Sequence, residues 1–243
     1  MFKQIILLLK IEFYSWKKTW FWFLIMISIF PIIALSFINF ILPPADINQV
    51  FKITTGSMVF PIILMGMNTY AINISAAIDK GDFDYYKVVS VNLSNVIFVK
   101  LLSGIVMTMP SVLVTASFGQ IINNISLTFN LEGILILLLS IATCVSFGIM
   151  LGVSRLSYGI TNVVSQLVMM FISFLSPVMI EHDRLPVVLD VVSYIFPTTY
   201  ISDLFYQSFS GVSINYVDLL ILIFFVLLFN VIAIHELVYQ KQE

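Results

Sequence analysis

The sequence predicts an all-α polytopic membrane protein. Six spanning helices are expected, with an N-terminal interfacial amphipathic helix and a re-entrant outer segment before the last span. Hydrophobic residues form 60% of the 243 positions and the mean hydropathy is +1.07. A soluble domain of this size has no means of hiding so much apolar surface from water, so the bilayer is its solvent. The apolar runs are also continuous, as in "GILILLLSIATCVSFGIMLGV", whereas barrel strands alternate apolar and polar residues. Spanning backbone must satisfy its own hydrogen bonds in lipid, which leaves a helical bundle.

The first element covers residues 1–18. Lys3, Lys10 and Lys17 recur every seventh position with Tyr14 on their face, while Phe2, Ile5, Ile6, Leu9, Phe13, Trp16 and Trp20 take the other. That pattern predicts a helix lying in the inner interface; an ordinary cytoplasmic anchor for the first span fits it equally. Spans follow at about 20–42, 57–78, 101–122, 133–153, 160–180 and 214–236, each long enough at ~1.5 Å per residue to cross a ~30 Å core. The first is not expected to be a cleavable signal, because its apolar run is long and no small-residue cleavage site follows. Residues 186–209 could be taken for a seventh span. Asp190, Pro197 and Asp203 argue instead for two short helices dipping into the outer leaflet and broken near Pro197. With six spans, all the Lys and Arg except Lys52 and Arg184 fall on one side, which predicts that both termini are cytoplasmic. The whole chain, 1–243, reads as a single transmembrane domain.

Several functions are disfavoured. No nucleotide-cradling glycine loop and no His-Glu-x-x-His occur. "GVSR" is only a partial approach to a serine-hydrolase turn, and His235 sits at a span end. His182 and His235 are far apart and show no metal spacing. No basic patch with interleaved aromatics points to nucleic acid. Carboxylates keep to loops and span ends, where a proton- or ion-coupled transporter would use the midplane. A pump built this way needs energy from elsewhere.

The segment "DKGDFDYYK", 79–87, is the strongest candidate for that connection. Phe83, Tyr85 and Tyr86 are amphipathic anchors of the kind enriched at interface hot spots. Asp79, Asp82, Asp84 and Lys87 would form a charged rim. A solvated turn with aromatics at headgroup level is the alternative.

The stretch "AIDKGDFDYYKVVSVNLSNVIFVKLL" resembles the loop between spans two and three of type-2 ABC exporter (ABC-2 type) permeases. Gly81 matches the family's glycine and Lys100 the lysine opening the third span. Asp82 stands where serine or threonine is common, and Ser90 where proline is. "SYIFPTTYISDLFYQSFSG" resembles the second signature, matched by Pro197, Tyr200, Asp203 and Gly211. The resemblance implies a coupling helix over 79–100 that docks on a separate cytoplasmic ABC ATPase. ATP and magnesium would belong to that partner, with no cofactor bound here. It further implies pairing with a second permease copy or a homologous permease within a lipid bilayer, in the cytoplasmic membrane. Spans two and five would border the path, making Met65, Asn68, Thr69, Asn73, Gln166, Met169, Met170 and Ser173 candidates for cargo contact; bonding between helices is the alternative role for the polar ones. Pro197, Thr198, Tyr200 and Asp203 would form an outer gate, with Thr and Tyr hydroxyls pairing backbone groups where the helix breaks. Ser140, Cys144, Gly148 and Gly152 repeat every four residues and predict close helix approach within one bundle.

The expected function is export of an amphipathic small molecule or peptide, such as a drug, antibiotic or bacteriocin. Export of a lipid-linked glycan, a membrane enzyme and an ATPase anchor are the alternatives. Aromatic content does not favour the glycan, because Phe supplies 22 residues against 10 Tyr and 3 Trp.

Overall fold

Short polar side chains set where the helices begin. Asp46 accepts from the Gln49 amide at 2.9 Å, Asn92 from Ser94 at 3.0 Å and Asn130 from Gly133 at 2.7 Å. Each satisfies a backbone donor that the first helical turn leaves orphaned. Left-handed residues mark three ends: Gly81 (φ 80°), Asn124 (φ 51°) and Gly211 (φ 79°). The computed structural model describes residues 2–17, 19–41, 46–89, 91–154, 156–175, 178 and 186–239.

Among them no strand occurs, and the order is as follows. Helix α1 is Phe2–Trp16 and α2 is Trp20–Ile41. A continuous column follows, made of α3 (Ile47–Ser57), α4 (Val59–Ile62), a π-helical stretch Ile63–Thr69 and α5 (Tyr70–Asp79). Then come α6 (Asp82–Val88), α7 (Leu93–Asn123), α8 (Leu131–Gly152) and α9 (Tyr158–Leu175). The last are α10 (Val187–Ser193), α11 (Pro197–Ser210) and α12 (Tyr216–Tyr239). Five helical stretches are long and apolar enough to cross a membrane: α2, the column, α7, α8 and α12. Helices α10 and α11 meet at 92°: as a broken span they bring the number to six, as a re-entrant loop they do not, and α9, expected as the fifth span, is shorter among the described residues and is not one of the five. Pro197 opens α11 after the break, where the sequence puts it.

Helix α8 is the hub, packing on α12, α7, α11, α5 and the π stretch. Its Ser140, Cys144, Gly148 and Gly152 are all buried. A Cβ on Gly148 would stand 2.0 Å from the Gly66 carbonyl oxygen, and one on Gly66 2.7 Å from Cys144 Cβ. Two backbones touch there, so the small-residue stripe does its packing inside the bundle, as expected.

The observed ends differ from the expected ones. The second span starts at Ile47 instead of 57, because Asp46 caps it and Lys52 finds an internal partner. The third starts at Leu93, eight residues early, behind the Asn92 cap. Helix α9 is described only to Leu175; the rest of 160–180, apart from Val178, lies outside the described residues. Helix α1 also divides differently. It packs on α7; its buried residues are Leu8, Glu12 and Trp16, while Ile6 and Phe13 are exposed. Glu12 turns inward because it forms an ion pair with Lys100.

Candidate functional site

At one end of the column, Gly81 turns the chain into α6. Its carbonyl accepts from the Asp84 and Tyr85 amides, both at 3.1 Å, and its positive φ suits a residue without a Cβ. The one-turn periodicity of α6 then divides its aromatics. Phe83 is 5% exposed and packs into the core of its own chain, with the Tyr86 ring edge-on at 6.0 Å. Tyr85 is 66% exposed. Phe83 therefore corrects the expectation of an outward anchor: the exposed described side chains of α6 are Asp82, Asp84, Tyr85 and Val88, with Tyr86 half-buried beside them. Burial, reinforced by the charges of Glu12 and Asp82, raises the Tyr86 hydroxyl above the ordinary tyrosine range. Asp79 accepts from the Tyr158 amide at 3.3 Å and so ties the base of the loop to α9. The Lys87 side chain lies outside the described residues.

Midway along the column the π stretch widens the helix. Thr69 Oγ1 donates to the Leu64 carbonyl five residues back at 2.9 Å, and the Tyr70 amide donates to Met65. Such widened turns are rare and are frequently found at functional positions. Ser165 Oγ of α9 donates to Asn68 Oδ1 at 2.9 Å, so part of the polar character of Asn68 is used in helix pairing. A cavity of about 490 Å³ opens here between α2, the column and α9. Asn68, Thr69, Met169 and Ser173 line it together with Met26, Phe30 and Phe60. Its size lies in the range of small-molecule sites, mostly apolar with a few convergent polar groups.

The other candidates on spans two and five separate from this group. Met65 is buried and lines a second cavity with Trp16, Met107 and Pro110. Asn73 lines a polar cavity nearer α6. Gln166 is exposed and donates to Asn162 at 3.0 Å, and Met170 is exposed as well. Gln166 lies seven residues before Ser173 on nearly the same helical face, but the cavity lining includes Met169 and Ser173 and neither Gln166 nor Met170.

At the opposite end, hydroxyls close the α10–α11 break. Thr199 Oγ1 donates to the Ser193 carbonyl at 2.6 Å and Tyr200 OH to the Tyr194 carbonyl at 2.9 Å. Ser202 donates to Val178 at 2.9 Å. Thr198 is buried and its hydroxyl has no partner among the described residues. Asp203 pairs with Lys52 at 2.6 Å, their side chains 21% and 7% exposed. The Lys52 ammonium also stands 5.9 Å from the Tyr206 ring centre. Neither the Lys52–Asp203 pair nor Glu12–Lys100 is foreseen from the sequence. The available signal is a lone charge inside an otherwise apolar helical face, in each case.

The fold and these sites define a polytopic helical membrane protein, with cavities between its helices and a short charged helix at one end of its second span. The sequence model described as ABC-2 type transporter matches residues 3–210, and the chain belongs to that family. It is a membrane permease of an ABC transporter, the transmembrane component of such machinery. No curated protein matches it.

Proposed function

We propose that the chain is the permease of an ATP-driven exporter that moves an amphipathic small molecule or peptide out across the cytoplasmic membrane. One observation carries this reading. The helical column that ends at the α6 turn is the same column whose π stretch lines the 490 Å³ cavity. A push on α6 by a cytoplasmic ATPase is therefore transmitted along one helix to the cavity wall. Lys52 and Asp79 lie 27 positions apart, about 40 Å along a helix, so the two ends of the column reach opposite faces of the ~30 Å core.

In this reading α6 faces the cytoplasm, both termini lie on the same side, and a second permease copy or a homologous permease completes the path. ATP and magnesium bind only in the ATPase. ATP binding favours one packing of the paired bundles over another, alternating inward- and outward-open cavities. The α10–α11 segment closes the outer end through Pro197, Thr198, Tyr200 and Asp203.

The test is isolation of the chain with its ATPase, reconstitution into vesicles and uptake of a fluorescent amphiphile into inside-out vesicles. Uptake should require ATP and should cease when the ATPase is omitted. Equal uptake without nucleotide overturns the reading.

A further inference from the structure

A polar cavity of about 280 Å³ lies between α1, α5, the start of α6 and α7. Glu12, Lys80, Asp82 and Lys100 all line it, with Trp16 and Tyr70 among its walls. Glu12 and Lys100 neutralise each other. Lys80 and Asp82 flank Gly81 and form no ion pair with another described residue. The cavity thus presents one uncommitted cation and one uncommitted anion, beside aromatic rings of the kind that attract ammonium groups. It also adjoins the apolar cavity: Thr19 and Phe23 line both.

We propose that these two cavities form one site for a zwitterionic, single-chain amphiphile. Its phosphate or other anionic group faces Lys80, its ammonium faces Asp82, and its tail runs past Phe23 along α2 toward Met26, Phe30 and Asn68. Charge complementarity selects this occupant. A purely anionic headgroup would leave Asp82 unmatched, and a purely cationic one would leave Lys80 unmatched. The two free charges belong to the turn that opens α6, so an occupied site touches the base of the proposed partner-facing helix. The amphiphile's role as cargo rests on the exporter reading; its binding does not.

The experiment uses the full chain in nanodiscs and three diazirine-bearing probes with the same alkyl tail: an alkylphosphocholine, an alkyl phosphate and an alkyltrimethylammonium. The alkylphosphocholine should label most, with tail-end diazirine on α2 or the π stretch and headgroup-proximal diazirine near Tyr70 and Asn73. Lys80→Glu should raise labelling by the cationic probe, and Asp82→Lys labelling by the anionic probe, each about threefold to fivefold as expected of a partly exposed charge pair. Both positions are exposed, and a gain of labelling needs a folded protein. Equal labelling by all three probes, unmoved by either charge reversal, means ordinary surrounding lipid and overturns the proposal. So does protection of the apolar cavity by a cross-linked second copy of the chain. With the ATPase present, ATP should discharge bound probe; retention through turnover marks a resident lipid and overturns the cargo assignment. If the chain labels as expected but transports nothing with ATP, the exporter reading fails and the site stands.

Discussion

Lys52 spans the gap between a charge placed in a loop and a charge placed in a core. An ammonium buried in a helical bundle needs a partner, because desolvating it alone costs several kcal/mol. Asp203 supplies that partner across 151 positions. Lys52→Ala should therefore destabilise the protein by about 3 kcal/mol, since it leaves the Asp203 carboxylate with its main partner gone. The double variant Lys52→Met with Asp203→Leu should recover most of the loss, and thermal unfolding in detergent measures both. Gly148 makes a different demand. A Cβ there meets the Gly66 backbone instead of a movable side chain, so Gly148→Ala should cost about 3 kcal/mol by overpacking. At Gly119 an added Cβ meets Thr54 Cγ2 at 2.6 Å, and Thr54 is buried with its hydroxyl bonded to Val50 and Asn123, so Gly119→Ala should also lower thermal stability.

Helix α6 is seven residues long and makes two unlike faces. Phe83 belongs to the core cluster of its own chain, so Phe83→Ala should lower stability by about 3 kcal/mol and should be seen in unfolding of the isolated permease. Tyr85 touches little of its own chain. Tyr85→Ala should leave the unfolding midpoint unchanged and weaken recovery of the partner ATPase by about tenfold or more, the loss typical of an aromatic hot spot. Co-purification from membranes reads that difference. If recovery stays full while the fold is intact, Tyr85 is not part of the partner surface. The π stretch shows why spacing alone misled for Met65. Five-residue hydrogen bonding puts more residues into each turn, so the helix phase lags and Leu64 joins Asn68 and Thr69 on the cavity wall while Met65 lines another one.

At the scale of the molecule, the turn at Gly81 and the α10–α11 break sit at opposite ends of one helical column. A cysteine at Tyr85 should react with a membrane-impermeant thiol reagent only in inside-out vesicles, and one at Val187, exposed at the start of α10, only in intact cells. Buried Cys144 should stay silent in both. The opposite pattern inverts the orientation drawn from the lysines.

Much of this architecture was written in the chain. Apolar runs of spanning length, the proline between two short helices, and the four-residue repeat of small side chains are local or periodic features, and each dictates a helix, a break or a close approach without reference to the rest of the chain. The lysine distribution sets an expected orientation in the same way. Tertiary structure alone decided which side of each helix meets which neighbour. It turned Phe83 inward and Tyr85 outward, joined Lys52 to Asp203 and Glu12 to Lys100, and brought Asn68, Thr69, Met169 and Ser173 to one cavity while leaving Gln166 and Met170 out of its lining. These pairings link residues distant in sequence, and helix phase about the axis depends on packing energies that no single segment contains.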